Sequence, residues 1–551
     1  MNPGEAVSIR RPFAKSARLA ALAGSRTGEW VQVQAAAIAV LAVALRVVFA
    51  PQLDILDDAG YLEAARLVGN GQSLDTVFPL FRLRVGMAYP LGWLMSAGLI
   101  EPIQFWWLTI AADLVGLLAL SAAARMLAGT IQAALCTAFL YAIYPLAIQQ
   151  SAMYYPTSFQ VASIAMACAL IALAERREGR RRWLSAFAAG LSLGIGYLFK
   201  EDVAIVVAAM ALASLIASFP RVATMAVVCA GAALVFAGEC AGYWITTGSP
   251  LFRLVATSGL GAPVGENLQI ANIWRWDAYL RSLLLMPIQV GIVWWLSIPA
   301  VWAAWKSRRR APAIAFAAIL FAIVMVYLQF GSGSLSSYSP LPKTPRYTAL
   351  AAPLLMLTVG AWLAELVDRQ RRRAIAIAAA VAIVAVPCLA YFQISSGERT
   401  RNTLAALPVL KTLAPGSLHT DYYTARVLRL LTTDREIRSW YHAKFEENRV
   451  VVLAPPPPGA YALFDRQAAK VYTSSYELPL PPAVANVPAS ATILWRHQAY
   501  PPGSLTRRLL ETIRGTMARL PEGNALRGRI DRSIADMIEG DDAVLYRLPS
   551  P

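Results

Sequence analysis

Charged residues and histidines are scarce in this sequence. Asp, Glu, Lys and Arg make up 15% of its 551 residues, and there are three histidines. His419, His442 and His497 do not show the spacing of a metal site. The five cysteines fall in apolar stretches without a pairing pattern, so they predict neither a disulfide framework nor a metal framework. A glycine-rich phosphate-binding loop with Lys and Ser or Thr is also missing, which argues against ATP-driven transport within this chain.

Long apolar runs, by contrast, are abundant. Apolar residues make up 57% of the chain, and many runs approach the roughly 20 residues that a membrane span needs. The sequence therefore predicts a polytopic α-helical membrane protein with about eleven transmembrane helices. We place these spans at 31–50, 104–124, 130–149, 157–174, 184–199, 203–219, 222–245, 284–305, 311–330, 346–366 and 374–393. No cleavage-site pattern precedes the first span, which is interpreted as an anchor.

The distribution of positive charge predicts the orientation of the helices. The net charge is +17, but Lys and Arg form short clusters between apolar runs, which is typical of membrane topology and not of a nucleic-acid-binding stripe. Every strong cluster falls on the same side as residues 1–30, a basic tail that we predict to be cytoplasmic. An odd number of spans then places everything after the last span outside the cytoplasmic membrane. No nucleic-acid partner is expected.

Residues 394–551 differ in pattern from the membrane region, 31–393. Strand-like runs occur at 449–453, 461–464, 491–495 and 543–546, and helical patterns at 423–431 and 505–520. This mixture predicts a small C-terminal extracytoplasmic α/β domain. The sequence shows no internal repeat.

Two adjacent acids, Asp57 and Asp58, follow directly on the first apolar run, within an outer loop predicted to span 51–103. Neighbouring ionised carboxylates repel each other and so favour a proton, a cation or a ligand beside them. After the pair, residues recur at helical spacing: Tyr61, Ala64, Ala65 and Val68. The pair therefore begins a short surface helix, whose dipole favours anions there. This arrangement suits proton abstraction from a hydroxyl or metal binding, although plain helix capping accounts for the same pattern.

Further polar and aromatic residues fall on the same predicted side, near the ends of different helices. They are Arg82, Arg84, Lys200, Glu201, Asp202, Glu239, Lys343, Arg346 and Tyr347. Together they predict one cavity at the membrane surface, in which Arg and Lys suit a lipid phosphate. The alternative is that each is an ordinary interfacial charge. Asp113 lies within a predicted span, where an ionisable group is by default a functional candidate; we favour instead a partner inside the helix bundle or simple protonation.

The first outer loop resembles that of the GT-C superfamily of polytopic glycosyltransferases. The similarity is to the branch that contains the protein O-mannosyltransferases and the aminoarabinose transferase of lipid A. That branch carries an Asp-Glu pair in its first outer loop, followed by a Tyr and an Ala-rich helix. Asp57-Asp58, Tyr61 and Ala65 are similar to this motif, with Asp58 in place of Glu.

Later motifs of the branch also have counterparts. The glycine-rich stretch Gly190–Lys200 resembles a span of the branch that ends in Lys, and Arg346-Tyr347 with Pro353 resembles its late Arg-Tyr motif. A C-terminal domain outside the membrane is a further similarity. The chain departs from the branch at the second outer turn, 155–160, which carries no acid.

The resemblance implies a glycosyltransferase of the cell membrane that moves a sugar from a polyprenyl-phosphate donor to a glycan, lipid or protein acceptor. For such a donor, Arg346 and Tyr347, with Lys200 or Lys343, would hold the phosphate. Asp57, beside Asp58, would take the proton of the acceptor hydroxyl as it attacks the anomeric carbon with inversion. Other residues are candidates for the cavity wall: Tyr61, Arg82, Arg84, Glu201 and Glu239. The sequence leaves open whether Asp57 and Asp58 bind a divalent cation, Mg²⁺ or Mn²⁺.

Two other classes of protein share parts of this pattern. A secondary transporter or lipid flippase has a similar number of helices and intramembrane charges, but favours internal repeats and broken midplane helices. A non-catalytic membrane scaffold would need neither Asp57 nor Asp58.

Overall fold

A computed structural model of the chain is mainly helical, with one small sheet near its C-terminus. It describes residues 13–49, 57–75, 77, 79–100, 104–260, 277–285, 290–332, 341, 343, 345–396, 401–414, 418–420, 424, 427–428, 458–466, 487–498, 500–519, 521, 523–538 and 543–549. The predicted strand at 449–453 and most of the predicted helix at 423–431 lie outside these residues.

Seventeen α-helices of the described residues lie between residues 13 and 517. They are α1 Phe13–Val48, α2 Asp57–Gly69, α3 Pro79–Arg82, α4 Val85–Ser96, α5 Trp106–Ala128, α6 Ile131–Ala142, α7 Pro145–Ser151, α8 Pro156–Glu175, α9 Gly179–Phe199, α10 Val203–Ala217, α11 Val222–Thr247, α12 Phe252–Leu260, α13 Ser297–Lys306, α14 Pro312–Phe330, α15 Ala352–Ser396, α16 Arg401–Leu410 and α17 Leu505–Met517. Short π and 3₁₀ helices lie at Leu280–Leu285, Ile292–Leu296 and Pro345–Leu350.

Six of the described helices are long and apolar enough to cross a membrane, or up to seven if the bent pair α6–α7 forms one span. The prediction of about eleven spans is therefore not confirmed. One predicted span, at 203–219, appears as the 15-residue helix α10. Another, at 184–199, belongs to α9, which begins several residues earlier with three consecutive arginines, Arg180 to Arg182.

Two predicted spans are interrupted because proline and glycine end their helices. The predicted span 130–149 breaks at Pro145, which has no N–H to continue the ladder, and its two halves meet at 62°. The predicted span 284–305 is not one helix: a 3₁₀ turn and α13 follow Gly291, whose φ of 71° lies in the left-handed region. The predicted boundary between the last two spans is confirmed by Gln370, which interrupts α15 with φ −146° and ψ 60°.

Glycine allows α9 and α11 to pack at close range. A Cβ added at Gly190 would lie 2.1 Å from the carbonyl oxygen of Val228, and one at Gly194 would lie 2.6 Å from the Cβ of Val235. The sequence pattern predicts this contact, because small residues four apart let two membrane helices approach.

Gly190→Ala is therefore expected to destabilise the helix bundle by about 1–3 kcal/mol, the range for overpacking. The matched control is Gly238→Ala on α11, where an added Cβ meets nothing within 4 Å. Thermal unfolding of both variants in detergent measures the difference. Equal unfolding midpoints would show that the close approach at Gly190 contributes nothing.

The first loop folds onto the helix bundle through α2 and α4. Tyr61, Ala64 and Ala65 are buried, as the helical spacing predicts. Gly92 of α4 allows this approach, since a Cβ there would lie 2.6 Å from the carbonyl oxygen of Ala65. The packing fixes the beginning of α2, and Asp57 with it, against the rest of the membrane region.

The C-terminal region contains a four-stranded sheet. Its strands are β1 Leu418–His419, β2 Tyr461–Asp465, β3 Thr492–His497 and β4 Ala543–Arg547, in the order β1-β2-β4-β3. β1 pairs with β2 in parallel, whereas β4 is antiparallel to both β2 and β3. α17 and a further helix, α18 at Ala525–Ile538, pack against each other through Leu510 and Ile534. The predicted strands at 461–464, 491–495 and 543–546 are thus confirmed, and the small α/β composition with them.

Candidate active site

An ion pair joins the start of α2 to the 3₁₀ turn Pro345–Leu350. Arg346 Nη1 donates to Asp57 Oδ2 at 2.9 Å, although the two residues are 289 positions apart in sequence. The pair is partly open to solvent, because the Arg346 and Asp57 side chains are 43% and 30% exposed. The guanidinium also lies over the rings of Tyr155 and Tyr347, with its carbon 5.8 and 5.4 Å from their centroids. The two acids of the sequence motif differ in surroundings, since Asp58 is fully buried.

Lys200 also contacts Tyr347. Its Nζ is 4.3 Å from the centroid of the Tyr347 ring and 2.6 Å from Asp202 Oδ2. Tyr347 therefore contacts two cations, Arg346 and Lys200, each paired with a carboxylate. These contacts are electrostatically favourable because the π electrons of the ring attract positive charge.

A second group of charges lies around Glu201. Arg84 Nη2 donates to Glu201 Oε1 at 3.1 Å, and Arg84 Nη1 donates to the hydroxyl of Tyr61. Burial raises the pKa of Tyr61 to about 12, which keeps its hydroxyl protonated. Burial alone would also raise the pKa of Glu201, but the guanidinium groups of Arg84 and Arg253 outweigh it and lower that pKa.

Arg253 of α12 belongs to the same group and is not predicted from the sequence. It is almost fully buried, and it donates to Glu239 Oε1 at 2.6 Å and to Glu201 Oε2 at 3.1 Å. Its guanidinium carbon lies 4.6 Å from the centroid of the Tyr197 ring. The signal for it was Glu239, an acid inside an apolar span that needs a cation partner. Through Arg253, α11, α12 and the α9–α10 turn are tied together.

The remaining predicted residues are placed less centrally. Arg82 lies 3.7 Å from the exposed carboxylate of Asp75 and stacks over Phe252 at 5.9 Å. Lys343 is buried, and the pKa of its ammonium is lowered by that burial. Among the described residues, no carboxylate oxygen lies within salt-bridge distance of Lys343, in contrast to Arg84, Lys200, Arg253 and Arg346, which each have one.

The donor set does not fit a divalent cation held by Asp57 and Asp58. Asp57 already accepts from Arg346, whose positive charge would repel a metal ion on the same oxygen. Asp58 is buried and the two carboxylates do not share surroundings. In the part of the chain that the structure describes, no three His, Cys, Asp or Glu side chains come together as ligands.

Asp113 has a partner within the bundle, which confirms the first of the two expectations for it. It forms an ion pair with Arg46 of α1 and accepts from the hydroxyl of Tyr141. Arg46 was not singled out in the sequence, although it is a charge within an apolar run. This pair is distinct from the groups around Asp57 and Glu201.

Part of the sequence matches a known family. Residues 101–244 match the family model of the dolichyl-phosphate-mannose-protein mannosyltransferases. No curated protein matches the chain.

The fold is similar to those of two solved membrane proteins. One is the archaeal oligosaccharyltransferase AglB from Archaeoglobus fulgidus, with a TM-score of 0.51, 12% identity, and coverage of 95% of this chain and 89% of that one. That structure is a complex with an inhibitory peptide and a dolichol-phosphate. The other is ArnT from Cupriavidus metallidurans, with a TM-score of 0.55, 15% identity, and coverage of 86% of this chain and 97% of that one. ArnT was also solved bound to undecaprenyl phosphate, and that structure has a TM-score of 0.54.

Proposed function

We propose that this chain, a polytopic membrane protein of the GT-C superfamily, transfers a sugar from a polyprenyl-phosphate donor to an acceptor hydroxyl at the outer face of the cytoplasmic membrane. The observation that carries the proposal is the Asp57–Arg346 ion pair, which joins a carboxylate and a guanidinium at a partly open position beside Lys200 and Tyr347. The family match and the polyprenyl phosphates bound to both similar structures support the donor class.

The proposed reaction is a displacement at the anomeric carbon of the donor sugar. The acceptor oxygen forms a bond to the anomeric carbon while the bond from that carbon to the phosphate oxygen breaks, and the electron pair leaves with the phosphate. The hydroxyl proton passes to Asp57, which acts as the general base. One negative charge thereby moves from the carboxylate to the leaving polyprenyl phosphate. Attack opposite the leaving group inverts the anomeric carbon.

Arg346 is positioned to stabilise the negative charge both before and after it moves from Asp57 to the phosphate. In the structure its guanidinium compensates Asp57. Once Asp57 takes a proton, the same guanidinium faces the new charge on the phosphate without a large rearrangement. Fixed cations that meet a developing charge are among the largest single contributions to catalysis.

Lys343 supplies a second cation to the proposed phosphate site. Arg84, Lys200 and Arg253 already have carboxylate partners, whereas no described carboxylate lies at salt-bridge distance from Lys343. A buried ammonium without a carboxylate partner gains most from an anionic ligand, because the ligand offsets the cost of its desolvation. We assign the donor phosphate to Lys343 and Arg346, with Lys200 and Tyr347 behind them.

The orientation is part of the proposal and is supported by the arginine clusters, which place the N-terminus in the cytoplasm. The site and the C-terminal sheet domain then lie outside the membrane, where the domain would help to bind the acceptor. A reporter that is active only outside the cytoplasm, fused after Pro551, tests this assignment. An inactive reporter fusion would contradict the location of the site at the outer face.

Purified protein in detergent, given polyprenyl-phosphate sugars and candidate acceptors, tests the activity itself. Release of polyprenyl phosphate together with a glycosylated acceptor is the expected result. A flippase or transporter would show no transfer under these conditions but would move the lipid in vesicles. The bend between α6 and α7 is a feature of the described helices that a transporter would also show. A scaffold would show neither activity.

The pH dependence of donor binding tests Lys343. Because burial lowers the pKa of this lysine, its charge is lost at a lower pH than that of an ordinary lysine, whose pKa is about 10.4. Donor binding should therefore weaken as the pH rises through that lowered pKa, and the KM for the donor should increase.

Lys343→Arg is the informative variant, because arginine stays charged across this range. Its donor KM should remain flat where that of the wild type rises, and Lys343→Met should have the high KM at every pH. Identical pH profiles for the wild type and Lys343→Arg would assign the titration to another group.

A further inference from the structure

A buried ion pair lies within the membrane-spanning bundle, apart from the site described above. The side chains of Arg46 and Asp113 are 0% and 1% exposed. Asp113 also accepts from the Tyr141 hydroxyl, and the Arg46 guanidinium carbon lies 5.5 Å from the centroid of the Tyr141 ring. Desolvating two charges in this way is expensive, and such a pair is weak evidence for stability alone. It therefore calls for a role beyond holding α1 to α5.

Arg46 also donates hydrogen bonds to backbone carbonyls where α6 ends. Its Nη1 donates to the carbonyl of Ala142 at 3.2 Å, and its Nη2 to the carbonyl of Tyr141 at 3.5 Å. In a continuous helix the Tyr141 carbonyl would accept from the residue four positions on, which is Pro145 and has no N–H. Here it accepts from the backbone N–H of Tyr144 at 3.3 Å as well as from Arg46. An arginine with five donors can satisfy these carbonyls and Asp113 at once. Arg46 thus caps the break that bends α6 against α7 by 62°.

The bend places Tyr144 against the turn that carries Arg346. The Tyr144 hydroxyl accepts from Trp294 Nε1 at 3.0 Å and lies beside the side chain of Thr348. Thr348 in turn donates to the carbonyl of Pro345 at 2.6 Å, inside the turn Pro345–Leu350. The route from the buried pair to Arg346 therefore consists of a capped break, one tyrosine and one short turn.

We propose that Arg46, held by Asp113, is a positioning residue that fixes the α6–α7 bend and, through Tyr144 and Thr348, sets the turn that brings Arg346 to Asp57. This inference rests on the proposed function, because its kinetic readout is sugar transfer. It adds a group in the bundle interior that acts on the rate without touching the substrate.

The double variant Arg46→Met/Asp113→Leu separates positioning from stability. Replacing both members of a buried ion pair by apolar residues of similar size is often neutral or stabilising, so this variant is expected to fold with an unfolding midpoint at or above that of the wild type. The carbonyls of Tyr141 and Ala142 lose their contacts with Arg46, and the bend loses the side chain that ties it to α1. The kcat for transfer should fall at least about tenfold, and the donor KM should rise with it, because the displaced turn carries Arg346, which also holds the donor phosphate.

Two further variants control this result. Arg46→Lys keeps the charge beside Asp113 but lacks the fork that reaches both carbonyls, so its kcat should lie between those of the wild type and the double variant. The matched control is Glu175→Leu/Arg182→Met, a mostly buried ion pair at 3.4 Å that joins α8 and α9 at a different place. It removes the same kinds of charge and should leave kcat unchanged.

Hydrogen exchange measured by mass spectrometry supplies a readout independent of activity. In the Arg46→Met/Asp113→Leu variant, peptides that cover residues 141–152 and 345–350 should exchange faster than in the wild type. A folded variant with normal kcat, or with wild-type exchange at 345–350, overturns the inference. If the wild type itself shows no transfer, the proposed function fails, and exchange at 345–350 still decides whether Arg46 sets the turn.

Discussion

Asp57→Asn is expected to lower sugar transfer by about a hundredfold or more, the range for loss of a general base. Asparagine is close to aspartate in shape and is an equally good residue for the start of a helix, so α2 should keep its position. Its amide oxygen can still accept from Arg346, but the amide cannot take the proton of an acceptor hydroxyl. The loss should therefore appear in kcat, with folded yield and donor KM nearly unchanged. Purified variant and wild type are compared at equal amounts of folded protein.

Asp75→Asn is the matched control for this prediction. Asp75 lies in the same loop, is 89% exposed and pairs with Arg82 at 3.7 Å, so its loss should not change transfer. Asp58→Asn should reduce transfer less than Asp57→Asn, because Asp58 is buried and would act only by orienting α2. Normal transfer by Asp57→Asn together with an inactive Glu239→Gln would assign the base elsewhere. Normal transfer by all of these variants would favour a transporter or a scaffold.

The sequence identifies the apolar stretches well, but it does not show whether each stretch forms one continuous helix. Pro145 and Gly291 both stand in runs apolar enough to predict uninterrupted spans at 130–149 and 284–305. The structure breaks both runs there, because a backbone that lacks an N–H or adopts a positive φ ends a helix whatever its hydropathy. The predicted count of spans depended on hydropathy and missed these effects.

Local sequence patterns also do not indicate which charged residues pair across long distances in the chain. Nothing near Asp57 indicates that its partner lies 289 residues away; the predicted topology and the resemblance to a family brought Asp57 and Arg346 into one predicted site. Arg253 follows Glu239 by 14 residues and was missed, because its own surroundings give no sign of burial. A search for the cation that each intramembrane acid requires would have led to Arg253, and from Asp113 to Arg46.

Arg346→Ala is expected to lower transfer by about a hundredfold to a thousandfold, the range for removing one preorganised donor to a developing charge. Two effects add to this loss. The leaving phosphate loses a guanidinium that can bind two of its oxygens, and Asp57 loses the only described cation at salt-bridge distance. The donor KM should rise along with the fall in kcat, in contrast to Asp57→Asn, whose effect is on kcat.

Arg346→Lys separates charge from geometry. Lysine restores the positive charge beside Asp57, but its ammonium lacks the planar fork that can bridge a carboxylate and a phosphate. Transfer should recover only to about tenfold below the wild type, because the bidentate contact is still missing; a tenfold loss corresponds to about 1.4 kcal/mol in the activation barrier. Arg82→Ala, at an arginine paired with Asp75 in the same loop region, is the control and should be active. If the alanine and lysine variants of Arg346 both transfer as the wild type does, the phosphate is held by Lys343 and the buried arginines instead, and the ion pair with Asp57 serves only to anchor α2.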